Sequence, residues 1–252
     1  MHTVDTIMPK IPNLRVHIAP VGYEVDRVVL PAKERRADKV ILLIHDKPNE
    51  DLALKFYEQI TTKLEKQNIE VVKEYHDRLD LFQIIKTVKN LIYQEKGNFI
   101  SVNLASGSKI QAIGCMMACM MFNDDKNVKP FYVEAKEYLG FSGKPISKGI
   151  EEIKDIPTYE IQKPTERYIK ALKIIVEKGG KISKKEMAKL AVEQKLIVVN
   201  AENKSQATFA SLDKNIIASL ENQWGFVTVE KIGRTRWIKI TEEGKNASEF
   251  LI

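Results

Sequence analysis

The sequence predicts a mostly parallel, doubly wound α/β sheet followed by a small helical domain that closes with a β-hairpin. Three observations lead there. From Asn13 to about Gln162, short apolar runs alternate with longer amphipathic ones, the rhythm of strands joined by helical crossovers. Lys39-Val40-Ile41-Leu42-Leu43-Ile44 is apolar on both faces, as a central parallel strand must be. After Pro157 the pattern changes to three helical segments and then two alternating ones.

The first strand is Leu14–Ala19, followed by a turn at Pro20-Val21-Gly22 and a helix from about Glu24 to Arg36. The buried strand over Lys39–Ile44 leads to a helix through Asp51–Lys66, a strand at Ile69–Glu74 and a helix through Leu81–Gln94. Phe99–Leu104 reads as a strand running into a helix over Ser106–Phe122, and Val128–Val133 and Thr158–Ile161 complete the sheet. Such a chain forms a Rossmann-like sheet covered on both faces. In the second segment Pro164 opens a helix whose apolar residues Tyr168, Ile169, Leu172, Ile175 and Val176 keep helical period until Gly179-Gly180. Ser183 caps the next helix, with Glu186 completing a capping box. A third helix spans roughly Ser205–Gln223 and is closed by Gly225. Phe226–Lys231 and Arg236–Ile240 form a hairpin over Ile232-Gly233-Arg234-Thr235, and Thr241 caps a closing helix.

The bulk numbers fit two domains, 1–162 and 163–252, in a chain of 252 residues. With 44% hydrophobic and 29% charged residues the chain is globular. No apolar run is long enough to span a bilayer, and Met1–Asp5 lacks the start of a secretory signal. The expected location is the cytoplasm, with no membrane partner. Cys115 and Cys119 have helical spacing in an apolar stretch without histidines nearby, which predicts buried thiols and no metal site or cofactor. Of the net charge of +6, a share of +5 lies in Pro164–Ile252, where 16 Lys and Arg face 11 Asp and Glu. That asymmetry suits a polyanion-binding module joined to a neutral one.

Three helices followed by a hairpin is the order of a winged helix-turn-helix, in which the third helix enters the major groove of duplex DNA. The expected DNA contacts are Lys184 and Lys185 on the second helix, and Lys204, Ser205, Gln206, Thr208, Ser211 and Lys214 on the third, with Asn215 beside them. Arg234 and Arg236 stand on the wing, placed for phosphates or the minor groove. The competing reading is that these polar residues solvate a helix face and the domain only makes protein contacts.

The stretch Ser101-Val102-Asn103-Leu104-Ala105-Ser106-Gly107-Ser108-Lys109 sits where a buried strand gives way to a helix. Ligands of doubly wound sheets bind there, and a helix N-terminus offers N–H groups to an anion. Gly107 allows close backbone approach, Ser106 and Ser108 supply hydroxyls, and Lys109 a charge. The spacing is neither that of a Walker A loop nor of the dinucleotide fingerprint. An ordinary capped turn of small residues is the alternative.

This loop, with Ile110-Gln111-Ala112-Ile113-Gly114 after it, resembles the signature of CARF domains, the CRISPR-associated Rossmann-fold family that senses cyclic oligoadenylates. The opening Val16-His17-Ile18-Ala19-Pro20-Val21-Gly22-Tyr23-Glu24-Val25-Asp26-Arg27 resembles the first strand and loop of archaeal CARF-like regulators with a C-terminal winged helix. The resemblance implies a homodimer whose paired loops cradle a cyclic oligoadenylate or related nucleotide, and a role in transcription regulation. It carries ligand contact onto Asn103, Ser106, Gly107, Ser108 and Lys109, with Gly22 and Tyr23 in the first loop. Ala105 and Ser106 stand where many relatives have a hydroxyl and then glycine. The family's other activity is cleavage of the cyclic ligand, a ring nuclease, for which Ser108 and Lys109 would serve; no general base lies beside them in sequence, and no catalytic residue is otherwise expected.

The remaining features have plainer readings. His17 is expected in the core or at a dimer seam. His45-Asp46 is read as a rim or a loop, and His76, Asp77, Arg78 and Asp80 as a polar turn. Met116, Met117, Met120 and Met121 read as core or dimer seam, and Trp224 and Trp237 as pins holding the hairpin to the helices.

Overall fold

The structure, a computed structural model, describes residues 13–47, 50–140, 142–198 and 204–252. It divides into two compact units, Met1–Glu160 and Ile161–Ile252.

The first unit is a Rossmann-like sheet of β1 (Arg15–Pro20), β2 (Lys39–His45), β3 (Glu70–His76), β4 (Phe99–Asn103), β5 (Val128–Tyr138) and β6 (Ser147–Asp155), in the order β3-β2-β1-β4-β5-β6. The first five are parallel, and β6 returns antiparallel to β5. Helices α1 (Asp26–Glu34), α2 (Leu54–Glu65), α3 (Leu81–Gln94) and α4 (Lys109–Met121) make the crossovers. Right-handed crossovers put α1 and α2 on one face and α3 and α4 on the other. On the first face α1 and α2 bury Val28, Val29, Phe56 and Ile60 against Ala19, Val40, Leu42 and Ile44. The chain reverses direction across the sheet between β1 and β4, so the crevice of a doubly wound fold opens at their carboxyl ends.

One expectation is overturned. Thr158–Ile161 forms no strand; the sixth strand is the hairpin partner Ser147–Asp155. Its sequence, SKGIEEIKD, is charged because it is an exposed edge, where charge blocks further pairing and no apolar alternation marks the strand. The hairpin draws β5 out to Tyr138, seven residues past Phe131, which lies opposite the end of β4 at Asn103. The upper part of β5 thus rises above the sheet at the same end as the crevice.

The second unit has the order α5 (Glu166–Glu177), β7 (Lys181–Ser183), α6 (Lys184–Glu193), α7 (Lys204–Leu212), β8 (Val227–Ile232), β9 (Thr235–Ile240) and α8 (Glu242–Leu251). This is a winged helix, its hairpin extended by β7 into a sheet ordered β7-β9-β8. Its core joins Ala171, Leu172, Ile175, Met187, Leu212, Ile216, Leu220 and Ile238, all essentially buried. The third helix continues beyond α7 as two π-helical turns, Asp213–Ile217 and Ser219–Gln223, a geometry that interrupts α-helices mostly at functional positions. Ser183 caps α6 through the Glu186 N–H, but the Glu186 carboxylate turns to Lys178 at 2.7 Å, so only half of the expected capping box forms. Gly233 at the wing tip has a φ of +61°, where glycine carries no Cβ strain. No helix among the described residues is long and apolar enough to cross a membrane.

Candidate functional site

The β4–α4 loop is tied from below and capped from above. Asn103 is buried and uses both ends of its amide: Nδ2 donates to the Arg27 carbonyl at 2.8 Å, and Oδ1 accepts from the Ala105 N–H at 2.8 Å. Asn103 therefore shapes the loop from inside. Ser108 is the N-cap of α4, its Oγ accepting from the Gln111 N–H at 3.2 Å while Gln111 Oε1 accepts from the Ser108 N–H at 2.8 Å. This reciprocal pair is a full capping box. Gln111 then passes its Nε2 to His76 Nε2 at 3.0 Å, fastening the loop to the end of β3. Burial lowers the His76 pKa to about 4, so the neutral ring is the acceptor of that bond.

Two glycines let the loops meet. Gly107 has a φ of +82°, and a Cβ there would stand 2.5 Å from Pro20 Cβ and 2.7 Å from Gln111 Oε1. A Cβ on Gly22 would stand 2.7 Å from the Gly107 nitrogen. The two loops that carry the CARF resemblance thus touch backbone to backbone. Around them lie groups with unspent hydrogen-bonding capacity. Ser106 is 2% exposed and its Oγ has no hydrogen-bond partner among the described residues. The N–H groups of Lys109 and Ile110 in the first turn of α4 have none among the described residues, as is normal for a helix N-terminus open to an anion. Lys109 is exposed beside them, and Tyr23 packs edge-on against Phe56 at 5.7 Å.

Arg27, not singled out from the sequence, enters the same crevice. Its Nε donates to the Val133 carbonyl at 2.8 Å and its Nη1 pairs with Glu24 at 2.8 Å, while Glu24 also accepts from Ser147 Oγ. Arg27 is 5% exposed, and its Nη2 is buried with no hydrogen-bond partner among the described residues. In sequence this cluster shows only as an arginine three residues after a glutamate, just past a loop glycine.

On the winged helix, Lys185, Gln206, Lys214, Arg234 and Arg236 are exposed. Lys184 is half-buried, paired with Asp213 and set 5.8 Å from the Phe209 ring, so it fastens α6 to the third helix. Ser211 accepts from Asn215 Nδ2 at 3.0 Å, and Thr208 is half-buried. The side chains of Lys204 and Ser205 lie outside the described residues. The register places Lys231 directly opposite Arg236. This like-charged cross-strand pair at the wing is unfavourable without an anion between them, and the sequence reading missed Lys231. Trp237 lies under Lys181 Nζ at 5.1 Å, and Trp224 packs on Phe226 at 5.9 Å.

The plainer features resolve simply. His17 is buried against Phe131, and burial followed by the nearby Arg35 charge lowers its pKa to about 4. His45 is buried and faces Asp46 at 3.0 Å. Asp80 caps α3 and Arg78 pairs with Asp51. Cys115 and Cys119 are buried and free, and burial pushes the Cys115 thiol up to about 12.

Residues 15–138 match a family model described as HFX_2341_N-like, N-terminal, and residues 167–252 match one described as the DUF6293 C-terminal winged helix domain. Protein MJ1513 of Methanocaldococcus jannaschii, whose name calls it uncharacterized, is 30% identical over 218 residues, covering 75% of this chain. The aligned part spans 64% of that relative's length. Among solved structures, Can2 from Sulfobacillus thermosulfidooxidans in complex with cyclic tetra-adenylate aligns with 93% of this chain and 63% of its own, at 11% identity and a TM-score of 0.40. Enterococcus italicus Csm6 bound to cyclic hexa-2'-fluoro-hexa-dAMP aligns with 51% of this chain and 35% of its own, at 11% identity and a TM-score of 0.43.

Proposed function

From a chain that joins an HFX_2341_N-like domain to a DUF6293 winged helix domain, we propose a ligand-responsive transcription regulator. Its first domain senses a cyclic oligoadenylate or related nucleotide, and its second binds operator DNA. The observation that carries this reading is the loop Ala105–Lys109, packed on Gly22 at the crevice of the sheet, with the Ser106 hydroxyl and the first N–H groups of α4 unspent. Phosphate oxygens are the acceptors such a loop is built to receive. Gly22, Tyr23, Ser106, Gly107 and Lys109 line or support the ligand, while Asn103 and Ser108 hold the loop in shape. The resemblance to CARF domains narrows the phosphate ester to a cyclic oligoadenylate.

The DNA half rests on Lys185, Gln206, Lys214, Arg234 and Arg236, with Lys231 added. The active species is a homodimer. After Lys109, helix α4 carries no charged residue, and the face it turns away from the sheet bears Ile110, Ile113, Met116, Met117 and Met120, with Ile113 51% exposed. A helix apolar on all sides is a buried helix, and a second copy covers this one. Effector binding then shifts the dimer between two states of different DNA affinity, a coupling of about 1–3 kcal/mol. Fluorescence anisotropy with promoter duplexes, from low to moderate salt and with or without cyclic tetra-adenylate, tests the proposal. Affinity should fall steeply with salt and change roughly 5–150-fold with the effector. Binding indifferent to both would overturn it.

A further inference from the structure

The winged helix carries a cleft that none of its expected DNA contacts lines. It has a volume of about 530 Å3 and lies where the end of α5, the β7–β9 pair and α8 meet. Its floor is apolar: Ile240 is 7% exposed, and Val176, on the same lining, shows 38% of its surface although its helix buries Ala171, Leu172 and Ile175. Around that floor stand Lys181, Lys239 and Lys245, with no aspartate or glutamate among the described lining residues. A concave apolar surface with a few placed polar groups is the usual make-up of a small-molecule site.

The register sets Lys181 directly opposite Lys239 on one face of the sheet, a like-charged pair that costs stability unless something negative lies beside it. Lys181 has Glu230 at 3.2 Å and Lys245 has Glu242 at 3.1 Å, both pairs open to solvent and so worth about 0–1 kcal/mol each. Lys239 makes no ion pair among the described residues. It stands six residues from Gly233, about 20 Å along an extended strand, so the cleft lies at the base of the wing, clear of the tip offered to DNA. The same geometry argues against a phosphate. The N–H groups of the turn are spent, Gly179 on the Val176 carbonyl at 2.9 Å, Gly180 on that of Ile175 at 2.9 Å, and Ile240 on that of Gly180 at 2.8 Å. None of the three is left for the N–H cradle that phosphates use, and the C-terminal end of α5 presents partial negative charge that disfavours a dianion.

We propose that this cleft is a second ligand site, within the winged helix itself, for a small organic acid: one carboxylate held among Lys181, Lys239 and Lys245, and an apolar body laid over Val176 and Ile240. A single charge suits lysine heads, which act as mobile point charges and lack the planar fork that arginine offers a phosphate. Gly179 leaves room at the lining, since a Cβ there would meet nothing within 4 Å. The site is independent of the nucleotide-sensing reading, and either can fail without the other.

The test uses naphthoate, its neutral analogue naphthamide and inorganic phosphate as probes. Each is titrated into the full chain carrying isotope-labelled glycine, with Gly179 and Gly180 among the 12 glycines that report by nuclear magnetic resonance. Naphthoate should shift the Gly179 and Gly180 amide resonances and bind about tenfold tighter than naphthamide, as two or three exposed ion pairs allow. Phosphate should shift neither. Lys239→Gln and Lys245→Gln should each weaken naphthoate about threefold and leave naphthamide unchanged. Ser248→Trp places a ring in the cleft from a half-buried lining position and should block both. Equal affinity for acid and amide, lysine variants that bind naphthoate as wild type does, or shifts confined to other glycines would overturn the site. So would phosphate moving the same two resonances, or naphthoate moving none.

Discussion

At the scale of single residues, Gly107 is the least replaceable position of the candidate site. An alanine there takes on a left-handed backbone and a Cβ set against Pro20 and Gln111. The backbone penalty alone is about 1–2 kcal/mol. Gly107→Ala should therefore lower the unfolding midpoint and abolish nucleotide binding, whereas alanine at the exposed Lys109 should cost binding alone; differential scanning calorimetry with titration separates the two. The histidines give a pH dependence. His17 and His76 are held near pKa 4 against 6.5 for the free side chain. Between those values the unfolded chain takes up protons that the folded one refuses, so stability rises with pH through that window and is fully present above about 6.5. Each histidine contributes on the order of 3 kcal/mol of acid sensitivity between pH 6.5 and 4. Urea unfolding at pH 7 and pH 4.5 should show the loss, and His76→Gln should remove about half of it. An unchanged pH slope in that variant would contradict the assignment.

At the scale of elements, two N-caps with one sequence signature form to different extents. Ser183-x-x-Glu186 has the signature of a capping box, but Glu186 is drawn to Lys178. Ser108-x-x-Gln111 has the same spacing, within the stretch whose plainer reading is a capped turn of small residues, and forms the complete box. Ser108→Ala should cost about 1 kcal/mol, and it should also loosen the β4–α4 loop. The wing makes a separate prediction. Replacing Arg234 and Arg236 by alanine removes two cations, so the slope of log affinity against log salt should fall by about 2. An unchanged slope would leave the winged helix as a protein-contact module. The π turns after Leu212 turn the end of the third helix relative to α-helical spacing. Spacing alone therefore does not fix the face on which Lys214 and Asn215 lie.

At the scale of the whole molecule, the prediction concerns pairing. If α4 is the seam, a charge at the exposed Ile113 should yield a folded monomer. Ile113→Glu should halve the mass seen by sedimentation equilibrium and weaken DNA binding, with the circular dichroism spectrum intact. A wild-type chain that sediments as a monomer would remove α4 as a seam and the dimer with it.

The sequence by itself determined the strand–helix order of the first unit up to Val133, the winged-helix order of the second, and the place of the Ser106–Lys109 loop. Each depends on local periodicity, caps and glycines, which neighbouring residues encode. It also marked Gly107, but not that Gly22 would press against it, since their contact joins loops 85 residues apart. Only the tertiary structure decided the edge of the sheet, because β6 is a charged strand that exists through its pairing with β5. That pairing lifts β5 above β4 and leaves the Val133 carbonyl open to Arg27. It also settled which polar residues are spent: Asn103, Ser108 and Lys184 in holding the fold, Ser106 and Arg27 with an atom to spare. A side chain's free hydrogen-bonding capacity is the remainder after every neighbour has been satisfied, and the neighbours are set by the fold.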